Sequence, residues 1–188
     1  SFARIFSPLY VRRTWLNSLY LLVSIVGLWA GSVYVPTSVR EIAAREGLAA
    51  ADATRLASYG TMMLSTGTIL GCLFLPALAE RFGRRLTLGF YFVVMFFSIS
   101  LGFGYIFYLP NALAPFFAVL FFLGIGGANF AIYTIWLPEQ YSTDCRGSAF
   151  AFATSVGRFA GAGIPFLVGA GVAHFPTLGP PVATTPSA

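Results

Sequence analysis

The chain has 188 residues, 57% of them hydrophobic and 9% charged; its eleven basic residues are all arginine and its formal net charge is +5. Soluble domains run about 45–50% apolar and about 25% charged, so this composition, with a mean hydropathy of +0.80, excludes an ordinary water-soluble fold. The basic balance does not indicate a nucleic-acid partner, because the arginines sit in short segments beside apolar runs and not on one basic face.

Residues 1–13, with Arg4, Arg12 and Arg13, read as a cytoplasmic linker. Residues 14–173 hold five apolar spans, at about 14–35, 57–79, 86–109, 113–137 and 147–173. Each is about 20 residues or longer, enough to cross a hydrocarbon core of about 30 Å. Open sheets do not cross lipid, and the alternation of a barrel strand is absent, so the spans are predicted to be helices. No small-residue cleavage site follows the first span, which is expected to stay in the mature chain.

Between spans one and two, Pro36 to Arg55 is the one sizeable external segment. Ser38 and Glu41 have capping-box spacing, and Glu41 and Arg45 are four apart. Together they predict a short surface helix. Spans two and three are joined by Glu80-Arg81-Phe82-Gly83-Arg84-Arg85, four charges around one glycine. Gly83 permits a reversal that a side chain would resist. The Leu109 to Ala112 connection carries no charge. Trp15, Tyr105, Tyr108, Trp136 and Tyr141 fall at predicted water–lipid boundaries, the usual aromatic belt. Arg146 opens span five. Alternation puts Arg4, Arg12, Arg13, Arg81, Arg84, Arg85 and Arg146 on one side, while Arg40, Arg45 and Arg55 opposite are offset by Glu41, Glu46 and Asp52. The N-terminus is therefore expected to be cytoplasmic, in a multi-pass protein of the cell membrane, inner or plasma. Residues 174–188, with Pro176, Pro180, Pro181 and Pro186, read as a non-cytoplasmic tail that stops before a further helix.

Four constellations could carry function. The first joins Glu80, Arg81, Gly83, Arg84 and Arg85 to Glu139 and Arg146, all expected on the cytoplasmic surface. Such a cluster would latch the helix ends, but exposed pairs contribute only about 0–1 kcal/mol each, so a latch needs a network or partial burial. The second is Arg158, about 18 Å into span five at 1.5 Å per residue. A charge near the bilayer middle costs roughly 2.5–3.5 kcal/mol on insertion scales. No Asp or Glu lies within any span, so an anionic ligand or a carboxylate from another segment would suit Arg158. The third is Asn129 with Tyr133, four apart on one face of span four. Both Arg158 and this pair are candidates for substrate binding or coupling. The fourth is glycine: Gly67 and Gly71, then Gly124, Gly126 and Gly127, then Gly157, Gly161 and Gly163 allow close helix approach, and Pro165 predicts a kink.

Other chemistry is poorly served. Cys72 and Cys145 make no disulfide framework, and the single His174 makes no metal site. No catalytic constellation or phosphate loop is present, so neither an enzyme nor a cofactor is expected.

The sequence Glu80-Arg81-Phe82-Gly83-Arg84-Arg85 resembles the loop motif of the major facilitator superfamily: acid, basic residue, any residue, Gly, any residue, basic residue. That motif normally begins with a glycine where this chain has Pro76. The Pro138-Glu139 and Arg146-Gly147 turn is also similar to the family's. Gly157-Arg158 resembles the eleventh helix of organic-acid and metabolite–proton symporters; sugar porters resemble it less, since span one lacks their paired glutamines. The resemblance covers about Trp15 to Ala173. It implies an all-α polytopic bundle whose five transmembrane helices form an incomplete half, helices seven to eleven, of a twelve-helix transporter. It further implies alternating access, a small organic anion as substrate and proton coupling. The partners would be that substrate, the lipid bilayer and the transporter's other half, which would have to supply the coupling carboxylate. A polyspecific drug exporter and a non-transporting membrane scaffold subunit are the alternatives.

Overall fold

The computed structural model describes residues 2–174, and all regular structure among them is helical. A 3-10 turn at Phe2–Phe6 leads into α1, Val11–Arg45. Then come α2, Ala50–Phe82, and α3, Arg84–Gly104, with a 3-10 turn at Ile106–Tyr108. The chain continues as α4, Leu113–Gly127, α5, Asn129–Glu139, and α6, Arg146–His174. Four stretches are long and apolar enough to cross a membrane: Val11–Arg45, Ala50–Phe82, Arg84–Tyr108 and Leu113–Glu139. The fifth expected span is α6, whose 29 residues give it the length. The tail from residue 175 and the side chain of Pro165, where a kink is expected, lie outside the described residues.

The outer surface supports a membrane setting. Ile69, Leu73 and Phe74 on α2 and Phe96 and Phe97 on α3 are each 61–69% exposed. In water such a belt would drive aggregation; in lipid it faces a solvent of its own kind. Tyr105, Tyr108 and Trp15 are exposed near helix ends, as the aromatic belt requires.

The helices overrun the spans read from hydropathy. The segment Ser38–Arg45 is not a separate surface helix; it is the last part of α1, which passes through Pro36 without ending. Val35, Val39 and Ile42 recur on one face and are all buried, so packing against α2 carries the helix past the proline. Ser38 thus sits inside a helix and caps nothing, while the Glu41–Arg45 pair does form, at 3.3 Å. The external segment shrinks to a turn at residues 46–49. At the other end α2 continues to Phe82, and the expected six-residue loop reduces to Gly83 alone.

Span four is two helices. The regular ladder breaks at Ala128, whose N–H is shared between the carbonyls of Gly124 and Ile125, while Ala131 bonds back only three residues to Ala128. Gly124, Gly126 and Gly127 crowd the break. A Cβ on Gly126 would meet the backbone of Met95 at 2.7 Å, and one on Gly127 would meet Leu28 at 2.5 Å. Neighbouring helices press too close for side chains, and the backbone adapts by tightening.

Packing is dominated by α2 with α4, α1 with α6, α3 with α4, and α1 with α2. The core divides into two layers along the bundle axis. One contains Leu21, Leu75, Leu88, Tyr91, Tyr133 and Leu137 and lies toward the Gly83 end. The other contains Val39, Ile42, Leu64, Met95, Phe116 and Leu120 and lies toward the opposite end. The break residue Ala128 belongs to the first layer, near its junction with the second, and Phe92 packs against both.

Candidate functional site

The candidate residues fall in three places. The first is the polar end of the bundle. Gly83 has φ +82° and ψ +154°, a region essentially restricted to glycine, so α2 and α3 reverse on one residue. This puts Arg84 and Arg85 in the first turn of α3. Arg84 forms an ion pair with Glu139 at the end of α5. The two expected motifs, the loop and the Pro138-Glu139 turn, are therefore joined by a direct bond. Arg146 is exposed and makes no ion pair with Glu139 among the described residues. Asp144 is bridged by Arg4 at 2.8 Å, which ties the segment before α1 to the turn before α6. The Arg81 guanidinium lies over the Phe82 ring, and Glu80 is exposed.

Beneath this surface lies a polar network that motif reading missed. The Asn17 and Gln140 amides bond reciprocally at 3.2 and 3.4 Å. Asn17 also donates to the Tyr141 hydroxyl at 3.3 Å, which lies 3.1 Å from the Thr14 hydroxyl. Thr14 donates to the Ile5 carbonyl, and Arg13 donates to the Gln140 carbonyl. Buried polar groups are costly unless bonded; here they pin the start of α1 to the end of α5. The signal in the sequence was present, since Thr14 and Asn17 are polar residues at the edge of a span. Their partners lie over 120 positions away.

The second place is the interior around the break. Asn129 and Tyr133 share one face of α5, as their spacing predicts, and both are buried. The Tyr133 hydroxyl lies 3.0 Å from that of Ser24 on α1. Asn129 Nδ2 donates weakly to Met95 Sδ at 3.6 Å, and its Oδ1 has no partner among the described residues. Tyr91 donates to the Gly71 carbonyl at 2.6 Å, linking α3 to α2. These groups cross-link helices in the middle of the bundle and leave one amide oxygen with spare capacity.

The third place is α6. Cys145, Ala149, Ala153, Gly157 and Gly161 recur every four residues and are buried. A Cβ on Gly157 would meet Ile25 at 2.6 Å and one on Gly161 would meet it at 3.0 Å, so α6 lies close on α1 along this line. Arg158 is one position past that seam and points out of the bundle, with Ser155, Phe159 and Ala162 also exposed. No hydrogen bond or ion pair holds it among the described residues, and none joins it to Asn129 or Tyr133. No group of three metal-ligating side chains occurs among the described residues.

Compared with models of known families, with curated proteins and with solved structures, the chain matches none.

Proposed function

We propose that this multi-pass helical bundle is the C-terminal half of an alternating-access secondary transporter of the major facilitator type, with a small organic anion as substrate and proton coupling. The observation that carries the reading is Arg158. A guanidinium expected near the bilayer middle, exposed on the bundle and unpaired among the described residues, costs several kcal/mol if it meets lipid. The cost vanishes if this face of α6 lines a water-filled cavity closed on its far side by another helical half. A carboxylate in that cavity is the natural counter-ion.

Helix pairing supports the same reading. If α1, α2 and α3 form one triplet, and α4–α5 with α6 begin a second, then α2 packs on α4 and α1 packs on α6. The second member of each triplet meets the first member of the other. In both seams the second member supplies paired glycines four apart, Gly67 with Gly71 and Gly157 with Gly161. Exchange symmetry of this kind is what inverted three-helix repeats produce, and such repeats build each half of these transporters. The Arg84–Glu139 pair then serves as a cytoplasmic tie between α3 and α5.

The test is uptake of labelled small carboxylates by membrane vesicles carrying this chain with the remaining half, under an inward proton gradient. Arg158→Ala is expected to lower uptake by about tenfold or more, the scale of one charged hydrogen bond, and Arg158→Lys to retain part of it. Uptake that ignores both substitutions would refute an anion-binding role. Efflux of cationic drugs without carboxylate uptake would favour an exporter, and no flux of either kind a scaffold.

A further inference from the structure

A cleft of about 490 Å³ opens between α1, α3 and α5 at the Gly83 end of the bundle. Its walls have an ordered composition. From α1 come Arg13, Leu16, Asn17 and Tyr20, and from α3 come Arg85, Leu88, Gly89 and Phe92. Both sets follow the spacing i, i+3, i+4, i+7, which is one helical face. Each set begins with an arginine in the first turn of its helix. The two helices start at the same end and run in the same direction, so their positive N-terminal dipole ends flank the same mouth. Trp136 of α5 and Gln140, which caps its C-terminal end, complete the lining.

No carboxylate lines the cleft. Of the three acids at this end, Glu139 is paired with Arg84 and Asp144 with Arg4, and Glu80 is exposed outside the lining of the cleft. Arg13 reaches only the Gln140 carbonyl, and Arg85 has no ion pair among the described residues. The mouth therefore has two guanidiniums and two helix N-termini facing no carboxylate in the lining, offset in part by the C-terminal carbonyls of α5, one of which Arg13 binds. Below it, over the roughly 10 Å spanned by seven residues of helix, the lining turns apolar at Leu16, Leu88 and Phe92. Trp136, an indole on the wall, suits the level of lipid headgroups.

We propose that this cleft holds an anionic phospholipid, its phosphate between Arg13 and Arg85 and the start of one acyl chain along Leu16, Leu88 and Phe92. A free anion would satisfy the mouth but leave the apolar wall uncovered. A zwitterionic lipid would cover the wall but bring its own cation to the arginines. The cleft is independent of any transport activity, and it offers the bilayer a way to bind the α1–α3–α5 seam.

The experiment is lipid retention by the purified full chain in detergent, read by native mass spectrometry after titration with phosphatidylglycerol or phosphatidylcholine. The unmodified chain is expected to retain phosphatidylglycerol preferentially. Each near-surface arginine strengthens anionic-lipid binding about fivefold, so the double substitution Arg13→Gln with Arg85→Gln is expected to cut retention by roughly tenfold or more. Arg12→Gln with Arg146→Gln, exposed arginines outside the cleft, is expected to leave it unchanged. Arg85→Gln alone, which breaks no ion pair seen here, covers the case in which the Arg13 change disturbs folding, and is expected to cost about fivefold. Equal retention of both lipids by the unmodified chain overturns the proposal, as does an equal loss in the two double variants. Displacement of the lipid by millimolar inorganic phosphate, with no dependence on acyl chains, would assign the mouth to a free anion instead.

Discussion

At the scale of single residues, Gly83 and Arg84 show how much a local pattern can convey. A glycine between two charged pairs signals a reversal, and the structure gives it a backbone conformation that other residues adopt only under strain. Gly83→Ala is expected to destabilise the fold by about 1–3 kcal/mol, although no atom lies within 4 Å of the position a Cβ would take. The cost would be pure backbone strain. Denaturant unfolding in micelles checks this, and a neutral result would mean that the turn relaxes into an ordinary loop. Arg84 was legible as one of several arginines expected on one side of the membrane; its choice of Glu139 was not. Seven arginines and three acids near one surface permit many pairings, and the placement of α3 beside α5 selects Glu139 for Arg84. With side chains 41% and 43% exposed, the pair is worth about 0–1 kcal/mol by itself. Its value lies in which helices it joins.

At the scale of elements, hydropathy located the apolar runs and misjudged their ends. The criterion detects where lipid contact stops, and a helix can continue beyond that point. At 35 residues α1 is about 52 Å long, well over the hydrocarbon thickness. The break at Ala128 was not legible, because it arises from the approach of α3 and α1 to a glycine-rich stretch that by itself would extend as a helix. The glycine seams were legible as small-residue spacing, but their partners were not. A Cβ on Gly67 would collide with the Phe121 carbonyl, and one on Gly124 with the Leu64 carbonyl. These are backbone contacts, so nothing flexible can yield. Gly67→Ala is expected to force α2 and α4 apart and cost about 1–3 kcal/mol. Gly104→Ala, where the space is open, is expected to be neutral or stabilising by up to about 1 kcal/mol. Thermal unfolding midpoints in one detergent compare the two, and equal shifts would contradict the close-packed seam.

At the scale of the whole molecule, the all-helical membrane bundle was readable from composition and five apolar runs, since lipid leaves the backbone few alternatives. The arginine asymmetry gives the orientation as an expectation, and the fold makes it testable. Turns near Gly47 and Thr143 lie at opposite ends of the bundle. In a chain with Cys72 and Cys145 replaced by alanine, Gly47→Cys is expected to react with an impermeant maleimide on intact cells, and Thr143→Cys only after permeabilisation. The reverse pattern would invert the topology. What no span-by-span reading contains is the division of the core into two layers, because each layer draws residues from five or more separated segments. That division has a mechanical meaning. A single continuous core resists bending everywhere, so loosening one end weakens the other. Two stacked cores that meet near a helix break share fewer contacts than one continuous core; here Phe92 packs against both. Loosening the end held by Arg84 and Glu139 is therefore expected to disturb the packing around Phe116 and Leu120 less than it would in one continuous core, with Phe92, packed against both layers, as the link between them.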